Sequence, residues 1–145
     1  MGKVSASSSI VVAATPERTL EAVTDYVTVR PRILTDRYSE YRVAEGGTGA
    51  GTVAEWAFAA RSGKPPRQVR AQVAVSGNTV TETDANSSMV TTWTLAPSGS
   101  GTSVTTTTEW NGAGGIGGFF EKTFAPKGLA RVQQEVLANL AKELA

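Results

Sequence analysis

The sequence contains no cysteine and no histidine. Without thiols there is no disulfide framework, no thiolate nucleophile and no sulfur ligand for a metal. Without imidazole, the ordinary zinc constellations and the side chain most ready to act as a base near neutral pH are gone as well. Any chemistry must come from carboxylates, tyrosine, lysine, arginine and hydroxyls, and nothing calls for a cofactor or a metal. Long apolar runs are missing too. Ile10–Val11–Val12 with two alanines after it is too short for the apolar region of a signal peptide, and nothing approaches a membrane span. Met1–Gly2 opens like a myristoylation site, but Ala6 stands where that motif wants Ser or Thr. Nor is there an excess of one charge: 14 Lys plus Arg against 13 Asp plus Glu leave +1, with the signs mixed. A basic stripe for a nucleic-acid partner is therefore lacking. These absences predict a soluble, cytoplasmic protein with no integral membrane association and no nucleic-acid partner. The length of 145 residues predicts a single domain, 1–145, able to bury a core without staples.

What is present is clearest at the C-terminal end. Leu129, Val132, Val136, Leu137, Leu140 and Leu144 recur at spacings of three and four, with Arg131, Gln134, Glu135, Asn139, Lys142 and Glu143 between them. That period predicts an amphipathic helix from Pro126 to Leu144, roughly 29 Å long at about 1.5 Å per residue. Pro126 crowds the preceding turn, so Phe119–Phe120–Phe124 is expected to be a separate segment, with a bend near Ala125. Such an apolar stripe needs a partner surface.

The rest of the chain supplies one. Ser7 to Ala14 reads as a first strand. Thr15–Pro16–Glu17 then combines a capping oxygen, a residue suited to the first helical turn and a charge that complements the helix dipole. Leu20, Val23 and Val27 are expected on the buried side of that helix. Pro31 restricts Arg30, so Thr28 to Thr35 forms at best a short second helix. From Tyr38 to Trp110 the period changes to two, and turn signals divide the chain into runs at 38–45, 51–60, 67–75, 79–85, 88–97 and 102–110. Short turns between them require antiparallel pairing. Alternation places Ala54, Trp56 and Phe58 on one side; Val69, Ala71, Val73 and Val75; Met89, Thr91, Trp93 and Leu95; and Val104, Thr106, Thr108 and Trp110. In the first run Tyr41 with Val43 is the better inward pair. The run around Val80 is ambiguous, because facing Val80 inward takes Glu82 and Asp84 with it; an edge or mouth strand with solvated charges is the simpler expectation.

The order strand, two short helices, six meandering strands, Gly-rich turn and long C-terminal helix resembles the helix-grip fold of the START and Bet v 1-like (SRPBCC) superfamily. The polyketide cyclase/dehydrase-like branch looks closest. The likeness is carried by Ile10–Val11–Val12–Ala13–Ala14–Thr15–Pro16–Glu17, by Gly51–Thr52–Val53–Ala54–Glu55–Trp56 and by the Leu129–Leu144 period, none of which is a catalytic signature. The resemblance implies an α+β helix-grip fold in which a seven-stranded antiparallel curved sheet wraps around the long C-terminal helix, with two short helices after the first strand. It also implies a cavity between sheet and helix that takes lipids, polyketides or other mainly apolar molecules. An empty apolar void of about 300 Å³ would forgo roughly 7 kcal/mol, comparable to the roughly 5–15 kcal/mol that holds a domain together. The cavity is therefore expected to be small, wet or filled.

Candidate ligand-binding residues are Tyr41, Trp56, Phe58, Val73, Met89, Thr91, Trp93, Thr106, Thr108, Phe120, Phe124, Val132 and Val136. Large aromatics supply pocket wall, and hydroxyls on an apolar face orient a ligand's few polar groups. Gly112, Gly114 and Gly117 spell a G-x-G-x-x-G, but no second parallel strand or acidic partner follows, so a flexible hinge beside the terminal helix is expected rather than a nucleotide site. For catalysis, Glu55, Glu82 and Asp84 are the possible acids or bases and Lys64, Arg67 and Arg70 the possible cations; neither Arg67 nor Arg70 reads as an interior cation. The function expected first is binding of a small, mainly apolar ligand. The alternatives are a polyketide cyclase or dehydratase acting in the same cavity, and a protein-interaction domain with a collapsed interior.

Overall fold

The computed structural model describes residues 3–59, 66–111 and 126–145. In chain order these form β1 (Lys3–Val12), α1 (Pro16–Val23), α2 (Val29–Ile33), β2 (Tyr38–Glu45), β3 (Val53–Phe58), β4 (Arg67–Ser76), β5 (Thr79–Asp84), β6 (Val90–Ser98), β7 (Gly101–Asn111) and α3 (Pro126–Leu144). The strands make one curved antiparallel sheet in the order β1-β7-β6-β5-β4-β3-β2. Each strand from β2 to β6 pairs with the next, and β7 returns to pair with β1 from Lys3↔Asn111 to Val12↔Thr102. That continuous ladder is why β1 begins at Lys3 and ends at Val12 rather than spanning Ser7 to Ala14.

The helix signals act where the sequence places them. Thr15 Oγ1 accepts the Arg18 amide at 3.2 Å, with Pro16 and Glu17 in the first turn of α1. The helix stops at Val23, so the three-and-four spacing does not carry on to Val27, which is 59% exposed. Tyr26, 0% exposed, takes the inward position instead. α2 is short as expected, yet Arg30 remains helical in front of Pro31. The proline falls in the first turn, where its missing N–H breaks no intrahelical bond.

The inner face of the sheet and the stripe of α3 meet as the periods require. Ala54, Trp56, Phe58, Val69, Ala71, Val73, Trp93, Leu95, Val104 and Trp110 are buried, and so are Leu129, Val132, Val136, Leu137, Leu140 and Leu144. Gln133, on the buried side of α3, is a polar exception.

Two features depart from simple alternation. In β2, Glu40 adopts a positive φ of 54° and the register with β3 shifts between Ser39 and Arg42. The bulge puts Tyr38 and Tyr41, three residues apart, on the same side. Both rings meet Trp56, at centroid distances of 6.3 and 6.2 Å. The second departure is β5. It is the central strand, not an edge or mouth strand, and Glu82 and Asp84 are buried with Val80. The expectation of solvated charges fails because Glu82 has a buried cationic partner and Asp84 is consumed locally. Asp84 Oδ1 accepts the amides of Arg70 and Asn86, each at 3.0 Å, and Oδ2 accepts the Ser87 hydroxyl at 2.7 Å. The glycine hinge, the Phe119–Phe120–Phe124 segment, the bend near Ala125 and Lys64 lie outside the described residues.

Candidate functional site

Between the inner face of the sheet and α3 lies a cavity of about 70 Å³. Its aromatic wall is Tyr38, Trp56, Phe58, Trp93 and Trp110; Leu34, Val69, Met89, Leu129 and Val136 add aliphatic surface. The polar lining is Arg30, Arg67, Glu82, Thr91, Thr106, Thr108 and Gln133. The volume exceeds the roughly 10–15 Å³ needed for one water and is smaller than the roughly 150 Å³ cavity known to take benzene. Left dry, it would cost roughly 2 kcal/mol at about 24 cal/mol per Å³.

At one side of this cavity sits a buried polar cluster contributed by α2, β5 and the turn after α1. Arg30 Nη2 lies 2.8 Å from Glu82 Oε2, with side-chain exposures of 3% and 5%. The Tyr26 hydroxyl donates a short hydrogen bond to the same oxygen, and Arg30 Nη2 also donates to the Val23 carbonyl at 3.3 Å. The guanidinium is held between two aromatic faces, 4.4 Å from the Tyr26 centroid and 5.0 Å from that of Trp93, a favourable arrangement for a desolvated cation. The Tyr41 hydroxyl donates to the Tyr26 carbonyl at 2.5 Å, fixing the turn from behind.

The electrostatics follow from burial. Burial works against the charge of Arg30, but Glu82 beside it more than restores the charged form. Burial, aided by the Glu82 charge, pushes the Tyr26 phenol well above its ordinary range. The Tyr38 phenol rises for the same first reason, with Arg30 opposing. Tyr41, less deeply placed, is pushed up to about 12 by burial, again with Arg30 opposing. Burial lowers Arg67, against the pull of Asp84.

A second polar chain crosses the cavity wall to the helix. Thr91 and Thr108 share a hydroxyl–hydroxyl bond of 2.9 Å. Gln133 Nε2 donates to Thr108 Oγ1 and to the Ala6 carbonyl, both at 3.2 Å. The Ser8 hydroxyl donates to the Ala130 carbonyl at 3.1 Å and to Gln133 Oε1 at 3.3 Å. The chain ties α3 to β1, β6 and β7 at the level of the cavity.

Of the residues singled out from sequence, Trp56, Phe58, Met89, Thr91, Trp93, Thr106, Thr108 and Val136 line the cavity. Tyr41, Val73 and Val132 do not: Tyr41 stacks behind Trp56, and Val73 and Val132 are packed in the core. Phe120 and Phe124 lie outside the described residues. Glu55 and Arg70 face outward in a surface network with Arg42 and Glu45, where the Arg70 hydrogen bond holds the Glu55 carboxyl below its usual value. Arg67 does line the cavity, against expectation. The interior cation the sequence reading missed is Arg30. Its one available signal was a pair of arginines flanking Pro31 in an otherwise apolar stretch, which reads equally well as a solvated turn. Among the described residues no cluster of three or more acidic side chains is placed to hold a metal ion.

No curated protein matches the chain. Among solved structures, the KanY protein, solved by NMR, is 56% identical over 99% of both chains, with a TM-score of 0.90. TTHA0849 from Thermus thermophilus, 19% identical over 97% of both chains with a TM-score of 0.77, shares the fold. So does the di-domain ARO/CYC BexL, 12% identical with a TM-score of 0.68, of which this chain spans half the length while being covered over 98% of its own. A family model described as polyketide cyclase / dehydrase and lipid transport matches residues 3–145. With a helix-grip fold and that match along its length, the chain belongs to the polyketide cyclase/dehydrase and lipid transport family.

Proposed function

We propose that the protein binds a small, mainly apolar molecule in the cavity between sheet and α3. The observation that carries this reading is the interior itself. Three tryptophans, a phenylalanine and a tyrosine surround a space that also holds a buried ion pair and several hydroxyls, the mixture of apolar wall and few convergent polar groups expected of a ligand site. The family description includes lipid transport, which supports the same reading. At about 70 Å³ the space holds only a few waters, so a ring-sized ligand displaces them and needs side chains to yield. Met89, unbranched and adaptable, is the wall residue best able to do so. Native mass spectrometry of the purified protein is expected to retain a small organic molecule. Absence of any bound species, together with no indole N–H shifts on adding small aromatic compounds, would overturn the reading.

A second reading, an enzyme of the cyclase or dehydratase type, is favoured by one feature. Glu82 presents a carboxylate to the cavity beside the Tyr26 phenol and the Arg30 guanidinium. A positioned carboxylate is the kind of group that moves a proton in such chemistry, and the likeness to an ARO/CYC supports testing it. Turnover of a candidate polyketide is expected to collapse in Glu82→Gln while Tyr41→Phe leaves it largely intact, because the Tyr41 hydroxyl is tied to backbone and does not line the cavity. Equal rates in wild type and Glu82→Gln would remove this assignment.

A further inference from the structure

We infer that the cavity selects uncharged molecules bearing a hydroxyl donor, phenols being the simplest class, and that Glu82 is the residue that sets this choice. The inference rests on the ligand-binding reading above and narrows it. Both groups that approach Glu82 closely, the Arg30 guanidinium and the Tyr26 hydroxyl, meet the same oxygen, Oε2. Among the described residues no donor bonds the other oxygen, Oε1. It is not one of the fully buried unpartnered atoms either, whereas Arg30 Nε and Trp93 Nε1 are. Glu82 lines the cavity and keeps 5% of its surface accessible. An open acceptor therefore borders the space, whereas Arg30 Nε and Trp93 Nε1 are closed off from it.

Charge decides the rest. Arg30 and Glu82 cancel at 2.8 Å, so an anionic ligand finds no uncompensated cation in this pair and is repelled by the open carboxylate oxygen. A cationic ligand would have to share Glu82 with a guanidinium already in place. A neutral O–H donor faces neither conflict, and its bond to a carboxylate is charge-assisted, among the stronger hydrogen bonds available. The aromatic wall of Trp56, Phe58 and Trp110 then covers the ring.

The experiment is a protein-observed NMR titration with three matched probes, phenol, anisole and benzoate, following the indole N–H signals of the three tryptophans. Wild type is expected to bind phenol at least about tenfold more tightly than anisole, the worth of one charge-assisted hydrogen bond, and more tightly than benzoate by a similar factor. Glu82→Gln leaves Arg30 uncompensated, so benzoate is expected to overtake phenol. Phenol and anisole binding within threefold of each other in wild type, or benzoate matching phenol, would overturn the inference and leave the ligand-binding reading standing. No shift with any of the three would overturn both. Should Glu82→Gln fail to fold, the wild-type comparison of phenol with anisole decides alone.

Discussion

Replacing Arg30 with methionine should be among the most damaging single changes in the chain, although it removes a charge from an apolar interior. At a separation of 2.8 Å and an effective dielectric of about 20, the Arg30–Glu82 attraction is about 6 kcal/mol before desolvation is counted. Desolvation cancels much of that in the intact pair. In Arg30→Met the Glu82 carboxylate loses its counter-charge and keeps only the Tyr26 hydroxyl, so the expected loss is about 3–5 kcal/mol, a large part of the roughly 5–15 kcal/mol that holds a domain folded. The double variant Arg30→Met with Glu82→Leu removes both charges together and should recover most of the loss, because a buried pair exchanged for apolar residues of similar volume is often neutral or stabilising. Urea denaturation of the two single variants, the double variant and wild type, with unchanged m values, measures this as a cycle. Arg32 offers the control. Its partner Glu143 is 3.4 Å away and Arg32 is 61% exposed, so Arg32→Ala should cost at most about 1 kcal/mol. An Arg30→Met loss no larger than that of the control, or a double variant as unstable as the sum of the singles, would refute the account of the buried pair.

Other outcomes follow from the same interior. All three tyrosines of the chain hold their protons above the ordinary value of about 10. The folded state then keeps protons that the unfolded chain releases, so stability is intact below about pH 10 and falls as pH climbs through the folded-state values, the lowest being about 12 at Tyr41. Tyrosinate absorbance should rise together with loss of circular dichroism, and a phenol titrating near pH 10 in a folded protein would contradict it. Gln133→Leu removes the bonds to Ala6 and Thr108 and should cost about 1–3 kcal/mol, with faster amide exchange along α3 than in wild type. Gly101→Ala would put a Cβ 2.2 Å from the Val12 carbonyl oxygen. Backbone cannot step aside as a side chain can, so the loss in thermal unfolding should reach or exceed the upper end of the roughly 1–3 kcal/mol typical of overpacking.

The fold was legible because its determinants are periodic and local. The spacing of Leu129 to Leu144 defines one side of α3, alternation in β4, β6 and β7 names the inward residues, and Thr15–Pro16–Glu17 marks a helix start that the structure keeps. The site was legible only where it repeats those patterns, as for Trp56, Trp93, Thr106 and Thr108. Its polar half was not. Glu82 on an alternating strand looks the same whether water or a guanidinium meets it, and the partner sits 52 positions earlier in a five-residue helix. Tyr38 escaped for a different reason: period two assigns it to the face opposite Tyr41, and only the Glu40 bulge brings the two together. Long-range pairing and single-residue insertions leave no periodic trace in a sequence.

The placement of the Arg30–Glu82 pair carries one more step. Glu82 lies on the central strand, where close packing is easiest to achieve, Arg30 reaches it from α2, and the pair borders a space that threonines and Gln133 leave open between sheet and helix. Folding alone gives no reason for either. A solid apolar centre of the same size would avoid roughly 2 kcal/mol of cavity cost, and it would lose nothing by doing without the ion pair. The Arg30→Met with Glu82→Leu variant therefore separates the two roles of this polarity. If it folds as stably as wild type and no longer distinguishes phenol from anisole, the pair serves recognition. If it folds well and the preference survives, the choice of ligand is made elsewhere in the wall, and Thr106, a hydroxyl-bearing residue of the lining, is the next residue to change.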